Sequence, residues 1–297
     1  MELFFKHLFP YYEEWSETPF APWAFGEGVL LTVLSFFEYA IDEPLKRQIQ
    51  APIFMDSGAF SAAAMGFSLD PYEVAEMHAI LKPDFAVPLD LVVTAEDSPN
   101  TAEEKISSTI KNTQILLDFL PPETEIIGPL QGLTREAIER LFHAFRELGI
   151  TKFALGGAVW QSLADALDRI RIVREITRGF ELHVFGKFLH PKLLRLLFDY
   201  QGQAALADSV DGYGYILASV KGLYIHKQEY QPIGRITEDQ LSECPCPACS
   251  DYSLLDFQRG DREAQHLLIQ HNIHALIALK ENYQAERRQE SRKEEME

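Results

Sequence analysis

Short apolar runs that favour β-strand recur along the chain and alternate with segments of helical periodicity. The runs predict eight strands, at residues 29–34, 53–55, 85–89, 125–130, 152–155, 182–185, 204–207 and 222–225. Between most of them, apolar positions recur every three or four residues, which predicts helices at residues 71–81, 102–120, 134–148, 161–178 and 191–200. Thr134 is the expected N-cap of the third of these helices.

This alternation predicts the fold class. A strand followed by a helix, repeated about eight times, is typical of a parallel (β/α)₈ TIM barrel, with a doubly wound open sheet as the alternative. No repeat of fixed period is evident in the sequence, which argues against solenoids and propellers. We therefore expect an α/β barrel that carries its chemistry at the carboxyl ends of its strands.

The two ends of the chain differ from the predicted barrel. Residues 1–25 are rich in aromatic residues and proline and predict an irregular arm that packs on a barrel spanning residues 26–234. Residues 235–280 contain all the cysteines and a long amphipathic helix, which predicts a metal-binding segment followed by a C-terminal helix. The mixed-charge residues 281–297 predict a solvated helical tail.

Composition and charge narrow the class of protein. The 297 residues are 46% hydrophobic and 24% charged, close to the average of soluble globular chains, which excludes a disordered or collagen-like protein. The sequence shows neither a membrane span nor a secretory signal, so we expect a cytoplasmic protein without a membrane partner. The net charge of −18 disfavours general attraction to phosphate backbones, so any binding of nucleic acid would have to be local.

All three cysteines lie within six residues, at Cys244, Cys246 and Cys249. An odd number of clustered thiols in a cytoplasmic chain indicates a soft metal rather than disulfides, although buried thiols without metal are the alternative. Zinc prefers four ligands, and a Cys₃His set is a common closed structural site. The helix that follows offers three candidates for the fourth ligand, which are His266, His271 and His274.

Polar residues directly follow several predicted strands. Asp56, Asp90 and Asp208 each follow an apolar run, and Gln131 and Gly156-Gly157 follow two others. Because the carboxyl ends of barrel strands share one rim, we expect these residues to lie together. One aspartate there is more often a helix N-cap than a catalyst, but three with glycine turns indicate a site for a flat ligand. Paired carboxylates would also suit a barrel glycosidase.

Seven short motifs occur in a fixed order between about residues 50 and 275. They are Asp56-Ser-Gly-Ala-Phe60, Pro83-Asp84 with Asp90, Gly128-Pro-Leu-Gln131-Gly132, Leu155-Gly156-Gly157-Ala158, Phe185-Gly186, Asp208-Ser209, and Cys-x-Cys-x₂-Cys with the later His271-Asn272. Together they resemble the tRNA-guanine transglycosylase superfamily. The resemblance implies a (β/α)₈ barrel with a zinc-binding C-terminal segment. It also implies a pentosyltransferase that exchanges guanine in nucleic acid for a 7-deazaguanine base.

The resemblance implies a role for each site residue. Asp208 matches the nucleophile that forms a covalent glycosyl-aspartate, and Asp56 matches the general acid/base. On the sequence alone, Asp211 competes with Asp208 for the role of nucleophile. Phe60 would stack on the base, whose pocket would have a polar rim of Asp90, Gln131, Gly156 and Gly157. The structural Zn²⁺ would be bound by Cys244, Cys246, Cys249 and His271, the last of which is favoured by the His-Asn pattern.

Two departures from the superfamily bear on the substrate. The segment after Asp208 lacks the basic residues with which the tRNA enzymes hold tRNA, and Ala59 replaces a glycine. These departures modestly favour the DpdA-type branch, which inserts 7-deazaguanines into DNA and would need the target base unstacked. An enzyme acting on tRNA is the alternative, and the resemblance is compatible with a homodimer or a partner subunit.

Two further alternatives have specific counterarguments. A noncatalytic partner subunit would have no evident need for the three carboxylates Asp56, Asp90 and Asp208. A barrel glycosidase would explain two carboxylates but neither the cysteine cluster nor Phe60 together with Gln131.

Overall fold

The computed structural model describes residues 1–6, 27–34, 49, 51–157, 161–198 and 205–294. Eight parallel strands close into a barrel in the order of the chain, so the predicted (β/α)₈ fold class is confirmed. The strands are β1 (Glu2–Lys6), β2 (Gly28–Thr32), β3 (Ile53–Asp56), β4 (Phe85–Ala86), β5 (Glu125–Pro129), β6 (Lys152–Leu155), β7 (Glu181–Val184) and β8 (Ser209–Gly212). Six of the predicted strands overlap β2 to β7.

Helices follow most of the barrel strands, close to the predicted positions. They are α1 (Ala59–Met65), α2 (Pro71–Leu81), α3 (Pro99–Phe119), α4 (Arg135–Glu147), α5 (Leu163–Ile176), α6 (Pro191–Phe198) and α7 (Gly214–Val220). The expected N-cap of α4 is confirmed, because Thr134 accepts a hydrogen bond from the backbone N–H of Ala137 at 3.2 Å. The last two residues of the helix predicted at 191–200 lie outside the described residues.

The first barrel strand lies where the sequence predicts an irregular arm. That expectation is wrong for residues 2–6, because β1 pairs in parallel with both β2 and β8 and closes the barrel. Leu3 and Phe5 are buried in the layer between strands and helices, whereas Phe4 packs inside the barrel against Phe54 and Phe85. Three apolar residues at the start of a chain are too few to show a strand pattern. The rest of the predicted arm, residues 7–25, lies outside the described residues.

The last barrel strand also differs from its prediction. The sequence predicts a strand at residues 204–207, and this prediction is wrong for residues 205–207, because they precede β8 and lie outside any strand. Ala204 lies outside the described residues. The prediction followed a run of apolar residues, but β8 itself carries polar side chains at Ser209 and Asp211. These side chains interrupt the apolar pattern, so the sequence places the strand five residues too early.

The C-terminal part of the chain begins with a hairpin rather than a barrel strand. The run predicted at residues 222–225 belongs to β9 (Leu223–His226), which pairs antiparallel with β10 (Glu229–Pro232). The helices that follow are α8 (Glu238–Ser242), α9 (Pro247–Asp251), α10 (Leu254–Gln258) and α11 (Arg262–Glu294). The long α11 packs against α6, α7 and β9, and it continues without a break past residue 280, where the sequence predicts a boundary.

Apolar side chains fill the interior of the barrel in a regular alternation. Phe4, Leu30, Phe54, Ile127 and Ala154 form one buried cluster there. Since successive strand residues point to opposite faces, a polar residue two positions after one of these also faces the interior, nearer the carboxyl end. In the part of the chain described here, no helix combines the length and apolar character needed to cross a bilayer.

Phe4 provides a test of how much β1 contributes to the barrel. Phe4→Ala should lower the free energy of unfolding by about 3–5 kcal/mol, because it leaves a cavity among buried aromatic rings. Urea unfolding followed by circular dichroism measures this change. Leu255→Ala, at a position that is 73% exposed, is the control and should change stability by less than about 0.5 kcal/mol. Equal stability of the two variants would show that β1 is dispensable.

Candidate active site and metal centre

The end of β3 places the first predicted site residue. Asp56 is the last residue of β3 and lies two positions after Phe54, so it faces the barrel interior at the carboxyl end. The chain turns directly afterwards at Gly58, which has a φ of 80°. A Cβ on Gly58 would lie 2.7 Å from Cγ of Leu34, so the turn requires glycine. Helix α1, which carries Phe60, begins immediately after this turn.

Asp90 is the centre of a buried hydrogen-bond network at the same end of the barrel. The hydroxyl of Ser57 donates to Oδ1 of Asp90 at 3.0 Å, and Nε2 of Gln131 donates to Oδ2. All three side chains are buried. Since Ser57 follows β3, Asp90 follows β4 and Gln131 follows β5, the network joins the ends of three neighbouring strands.

The surroundings of Asp90 change its acidity. Burial raises the pKa of Asp90 to about 6, and the negative charge of Asp56 acts in the same direction. The hydrogen bonds from Ser57 and Gln131 favour the ionised form and limit the increase. Asp90 is therefore mostly ionised at neutral pH, where its oxygens only accept hydrogen bonds and suit a ligand edge that carries N–H donors.

Gly156, which follows β6, leaves space for the Gln131 amide. A Cβ on Gly156 would lie 2.4 Å from Nε2 of Gln131, so any side chain there would displace the amide from Asp90. The sequence assigns Gly156 to the pocket as a place of close backbone approach, and the structure shows that it makes room for a neighbouring side chain.

Gly157 adopts a φ of 73°, which favours glycine, and lies beside a buried arginine. Nη2 of Arg169, on α5, donates to the backbone carbonyl of Gly132 at 2.8 Å. A Cβ on Gly157 would lie 3.3 Å from Nη1 of the same arginine. Arg169 therefore ties α5 to the segment after β5 and lies close to the segment after β6. Ala158, the last residue of the predicted motif, lies outside the described residues.

A cavity of about 580 Å³ opens beside these residues. Phe60, Gly157 and Arg169 line it together with residues 92–96 of the loop after β4. Phe60 is 38% exposed, so part of its ring remains accessible. The structure thus places an aromatic ring and the Gly157 backbone at one opening, an arrangement that suits a flat ligand.

Asp208 does not lie at this rim, contrary to the sequence-based expectation. It precedes β8 at the amino end of the barrel, because the strand begins only at Ser209. Its Oδ2 accepts hydrogen bonds from Nη2 of Arg174 at 2.5 Å and from the backbone N–H of Leu182 at 2.8 Å. Asp208 therefore joins α5 and β7 to the start of β8, and this position does not suit the nucleophile's role that the sequence assigns to it.

Asp211, the competing candidate, lies inside β8 and is 3% exposed. Its Oδ1 accepts hydrogen bonds from the backbone N–H of Gly186 at 2.8 Å and from Nε2 of His183 at 3.4 Å. Gly186 follows β7, so this contact lies at the carboxyl end of the barrel. The polar residues Ser209 and Asp211 alternate with the buried Val210, and this period of two is the sequence signal for inward-facing positions.

The site therefore contains three carboxylates, but not the three predicted. Asp56, Asp90 and Asp211 come from β3, the segment after β4, and β8, whereas Asp208 lies at the other end. Each oxygen of Asp90 accepts one hydrogen bond, from Ser57 or Gln131, and an ionised carboxylate can accept more. Asp56 and Asp211 both face the barrel interior at its carboxyl end, and a carboxylate can act as a nucleophile or transfer a proton.

Cys244, Cys246, Cys249 and His271 form a cluster that could hold a metal ion. Their ligand atoms all lie within 4.8 Å of one another, and Nδ1 of His271 is 3.5, 3.6 and 3.3 Å from the three sulfur atoms in chain order. In a tetrahedral zinc site with ordinary bond lengths the corresponding sulfur–nitrogen separation is about 3.5 Å. The donor set and its geometry therefore fit a four-coordinate ion, and the cluster includes neither His266 nor His274.

Neighbouring groups orient the ligands of this cluster. Nε2 of His271 donates to the backbone carbonyl of Ile225 at 2.9 Å, which leaves Nδ1 as the atom that faces the thiols. The ring of Tyr224 stacks on His271 with centroids 3.5 Å apart, and its hydroxyl lies 3.4 Å from the sulfur of Cys249. The next residue, Asn272, accepts a hydrogen bond from the backbone N–H of Ile225 at 3.0 Å. His271 and Asn272 thus fasten β9 to α11.

Comparison with known proteins shows which family this chain resembles. A family model described as queuine tRNA-ribosyltransferase matches residues 48–294. The tRNA-guanine(15) transglycosylase of Aeropyrum pernix is 29% identical over 238 residues, which are 76% of this chain and 44% of that protein. The proteins of the same description from Haloarcula marismortui and Haloferax volcanii are 25% and 27% identical, over 84% and 81% of this chain.

The chain spans about half the length of the curated relatives that it matches, since the last two alignments cover 53% and 47% of those proteins. The range matched by the family model includes both the strand-end carboxylates and the metal cluster.

Proposed function

The chain belongs to the queuine tRNA-ribosyltransferase family, and from this premise we propose that it exchanges guanine in tRNA for a 7-deazaguanine base. Membership confirms the resemblance that the sequence motifs indicated. The observation that carries the proposal is the pair of inward-facing carboxylates, Asp56 and Asp211, at the same end of the barrel as the buried Asp90–Gln131 contact.

The choice of tRNA as the polymer rests on the relatives, which are described as tRNA-guanine(15) transglycosylases. The modest preference for DNA drawn from the sequence has no support among them, and the alternative of a tRNA substrate fits better. The presence of Asp56, Asp90 and Asp211 disfavours a noncatalytic subunit. A cytoplasmic location and association with a second copy or a partner subunit stay predictions of the sequence analysis.

We assign Asp211 as the nucleophile of the first step. The donors Gly186 and His183 both bind Oδ1, which leaves Oδ2 to attack C1′ of the ribose. A new Oδ2–C1′ bond forms as the bond from C1′ to the guanine nitrogen breaks, and its electron pair departs with the base. Asp56, in its protonated form, delivers a proton to the departing guanine. The product of this step is a covalent ribosyl-aspartate.

The second step reverses the first with a different base. Asp56, now ionised, accepts the proton of the incoming 7-deazaguanine, whose nitrogen attacks C1′. The Oδ2–C1′ bond breaks and its electron pair returns to Asp211 as a carboxylate. One bond to C1′ replaces another in each step, so the exchange needs no further co-reactant.

The buried network around Asp90 accounts for recognition of the base. Guanine and 7-deazaguanines present a ring N–H and an exocyclic amine on one edge, and an ionised Asp90 accepts hydrogen bonds from such donors. Gln131 and the Gly157 backbone complete the polar rim, and Phe60 stacks on the ring. The same contacts serve the leaving and the entering base, because both bases share this edge.

We propose Zn²⁺ as the ion of the Cys244, Cys246, Cys249 and His271 cluster. Three thiolates and one imidazole are a donor set that zinc prefers. With four protein ligands the ion has no open coordination position, so it would stabilise the C-terminal segment without taking part in the exchange.

Two aspartates at opposite ends of β8 give a matched test of the nucleophile. Asp211→Asn should lower incorporation of labelled guanine into tRNA by about 1,000-fold or more and abolish the covalent adduct, because an amide is a poor nucleophile. Asp208→Asn should keep activity within about threefold and lose only the contact with Arg174, costing about 1 kcal/mol or less. Loss of exchange in Asp208→Asn with activity kept in Asp211→Asn would overturn the assignment.

The acidity of Asp90 predicts how base binding depends on pH. With a pKa of about 6, Asp90 loses its charge as the pH falls through 6, so guanine should bind about tenfold more weakly at pH 5 than at pH 7.5. Calorimetric titration of guanine at the two pH values measures this ratio. Asp90→Asn should bind weakly at both, and a wild-type affinity that does not change with pH would contradict the role of Asp90.

Elemental analysis tests the zinc proposal. The purified protein should contain about one zinc per chain, and Cys246→Ala should lose it and unfold at a lower temperature, because the C-terminal segment loses its cross-link. Ser250→Ala, an exposed position on α9, which begins directly after Cys246, is the control and should keep the metal. A folded wild-type protein without a transition metal would exclude the proposed site.

A further inference from the structure

A buried histidine lies on the strand next to the proposed nucleophile. His183, in the middle of β7, is 3% exposed, and its Nε2 is 3.4 Å from Oδ1 of Asp211. Its Nδ1 is 2.9 Å from the hydroxyl of Ser209. Because β7 and β8 pair in parallel with His183 opposite Ser209, the strand register itself brings these three side chains together.

We propose that His183 is a positioning residue for Asp211. By donating from Nε2 to Oδ1, it fixes the rotation of the carboxylate so that Oδ2 faces the ribose. This inference deepens the proposed function and rests on it. The 3.4 Å separation is at the long end of the hydrogen-bond range, which is common for catalytic contacts before substrate binds.

Asp211 determines which ring nitrogen of His183 carries the proton, and Ser209 adapts to that choice. A carboxylate only accepts hydrogen bonds, so the hydrogen between His183 and Asp211 belongs to Nε2. In a neutral imidazole, Nδ1 then accepts the hydrogen of the Ser209 hydroxyl. A hydroxyl can also accept a hydrogen bond, so the same contact suits an imidazolium. Ser209 therefore holds the ring in the orientation that Asp211 needs in either state.

Aromatic rings restrict the movement of His183. Its ring centroid lies 4.5 Å from that of Phe54, 4.6 Å from that of Phe185 and 5.8 Å from that of Phe4. In such apolar surroundings an unpaired ring nitrogen is costly, and each hydrogen bond is stronger than it would be in water. Both hydrogen bonds of His183 are made to β8, so the ring is oriented by the strand that carries the nucleophile.

The contact also bears on the second half of the exchange. The carboxylate of Asp211 re-forms as the entering base attacks C1′, and donors on Oδ1 stabilise the charge that develops there. The backbone N–H of Gly186 supplies one of these donors and His183 supplies the other. Removing the histidine donor should therefore slow the chemical step and leave the recognition of the base unchanged.

Two substitutions at position 183 separate positioning from packing. Glutamine can place an N–H near the position of Nε2, whereas asparagine reaches only as far as Nδ1. His183→Asn should lower kcat for guanine exchange by about 10- to 100-fold, with KM for tRNA and Kd for guanine changed by less than about threefold. His183→Gln should recover most of kcat. Ser209→Ala should lower kcat by a smaller factor, about three- to tenfold.

The outcomes distinguish this inference from the function on which it rests. If Asp211→Asn is inactive but folded His183→Asn keeps the wild-type kcat, the positioning role is wrong and the proposed function stands. Equal loss of kcat in the asparagine and glutamine variants, with weakened guanine binding, would mean that His183 only packs the core. If His183→Asn does not fold, an unchanged kcat in Ser209→Ala overturns the inference. A wild-type protein without exchange or adduct overturns the proposed function, and the positioning role with it.

Discussion

Closure of the barrel through β1 is the constraint on which the site depends. β1 pairs with β2 on one side and with β8 on the other, and this pairing fixes the register of β8. With that register, Asp211 faces the interior between Phe4 and the end of β7, and Asp208 remains outside at the amino end. A strand has a side-chain period of two, so a shift of one residue would exchange the inward and outward positions. Parallel pairing with β1 and β7 thus determines which aspartate is available for chemistry.

Buried carboxylates require donors, and the fold supplies them from neighbouring strands and the segments that follow them. Asp90 is held by Ser57 and Gln131, and Asp211 by Gly186 and His183. These donors offset the cost of burying charge, which for Asp90 still appears as a raised pKa. Gly156 contributes to this pairing, because it leaves the space that the Gln131 amide occupies when it donates to Asp90. The proposed recognition and catalysis therefore depend on contacts between segments that are far apart in sequence.

The sequence predicts the barrel because its apolar runs and amphipathic helices are regular over most of the chain. Two of its errors occur where that regularity fails, at the three apolar residues of β1 and at the polar interior residues of β8. The second error moved the nucleophile to Asp208, because the prediction took an apolar run for the strand and the next aspartate for its end. The cysteine spacing and the His-Asn pattern were sufficient to name the four residues that the fold brings together. The contacts of His183 and Arg169 depend on register and packing, which periodicity does not reveal.

The central claim is that the ribose becomes attached to Asp211, and mass spectrometry of the trapped adduct tests it most directly. The protein would be incubated with tRNA in the absence of free base, denatured in acid and digested with nuclease and protease, and the modified peptide would be fragmented. The account predicts a ribosyl-nucleotide ester on Asp211. An ester on Asp56 or Asp208, with Asp211 unmodified, would contradict it.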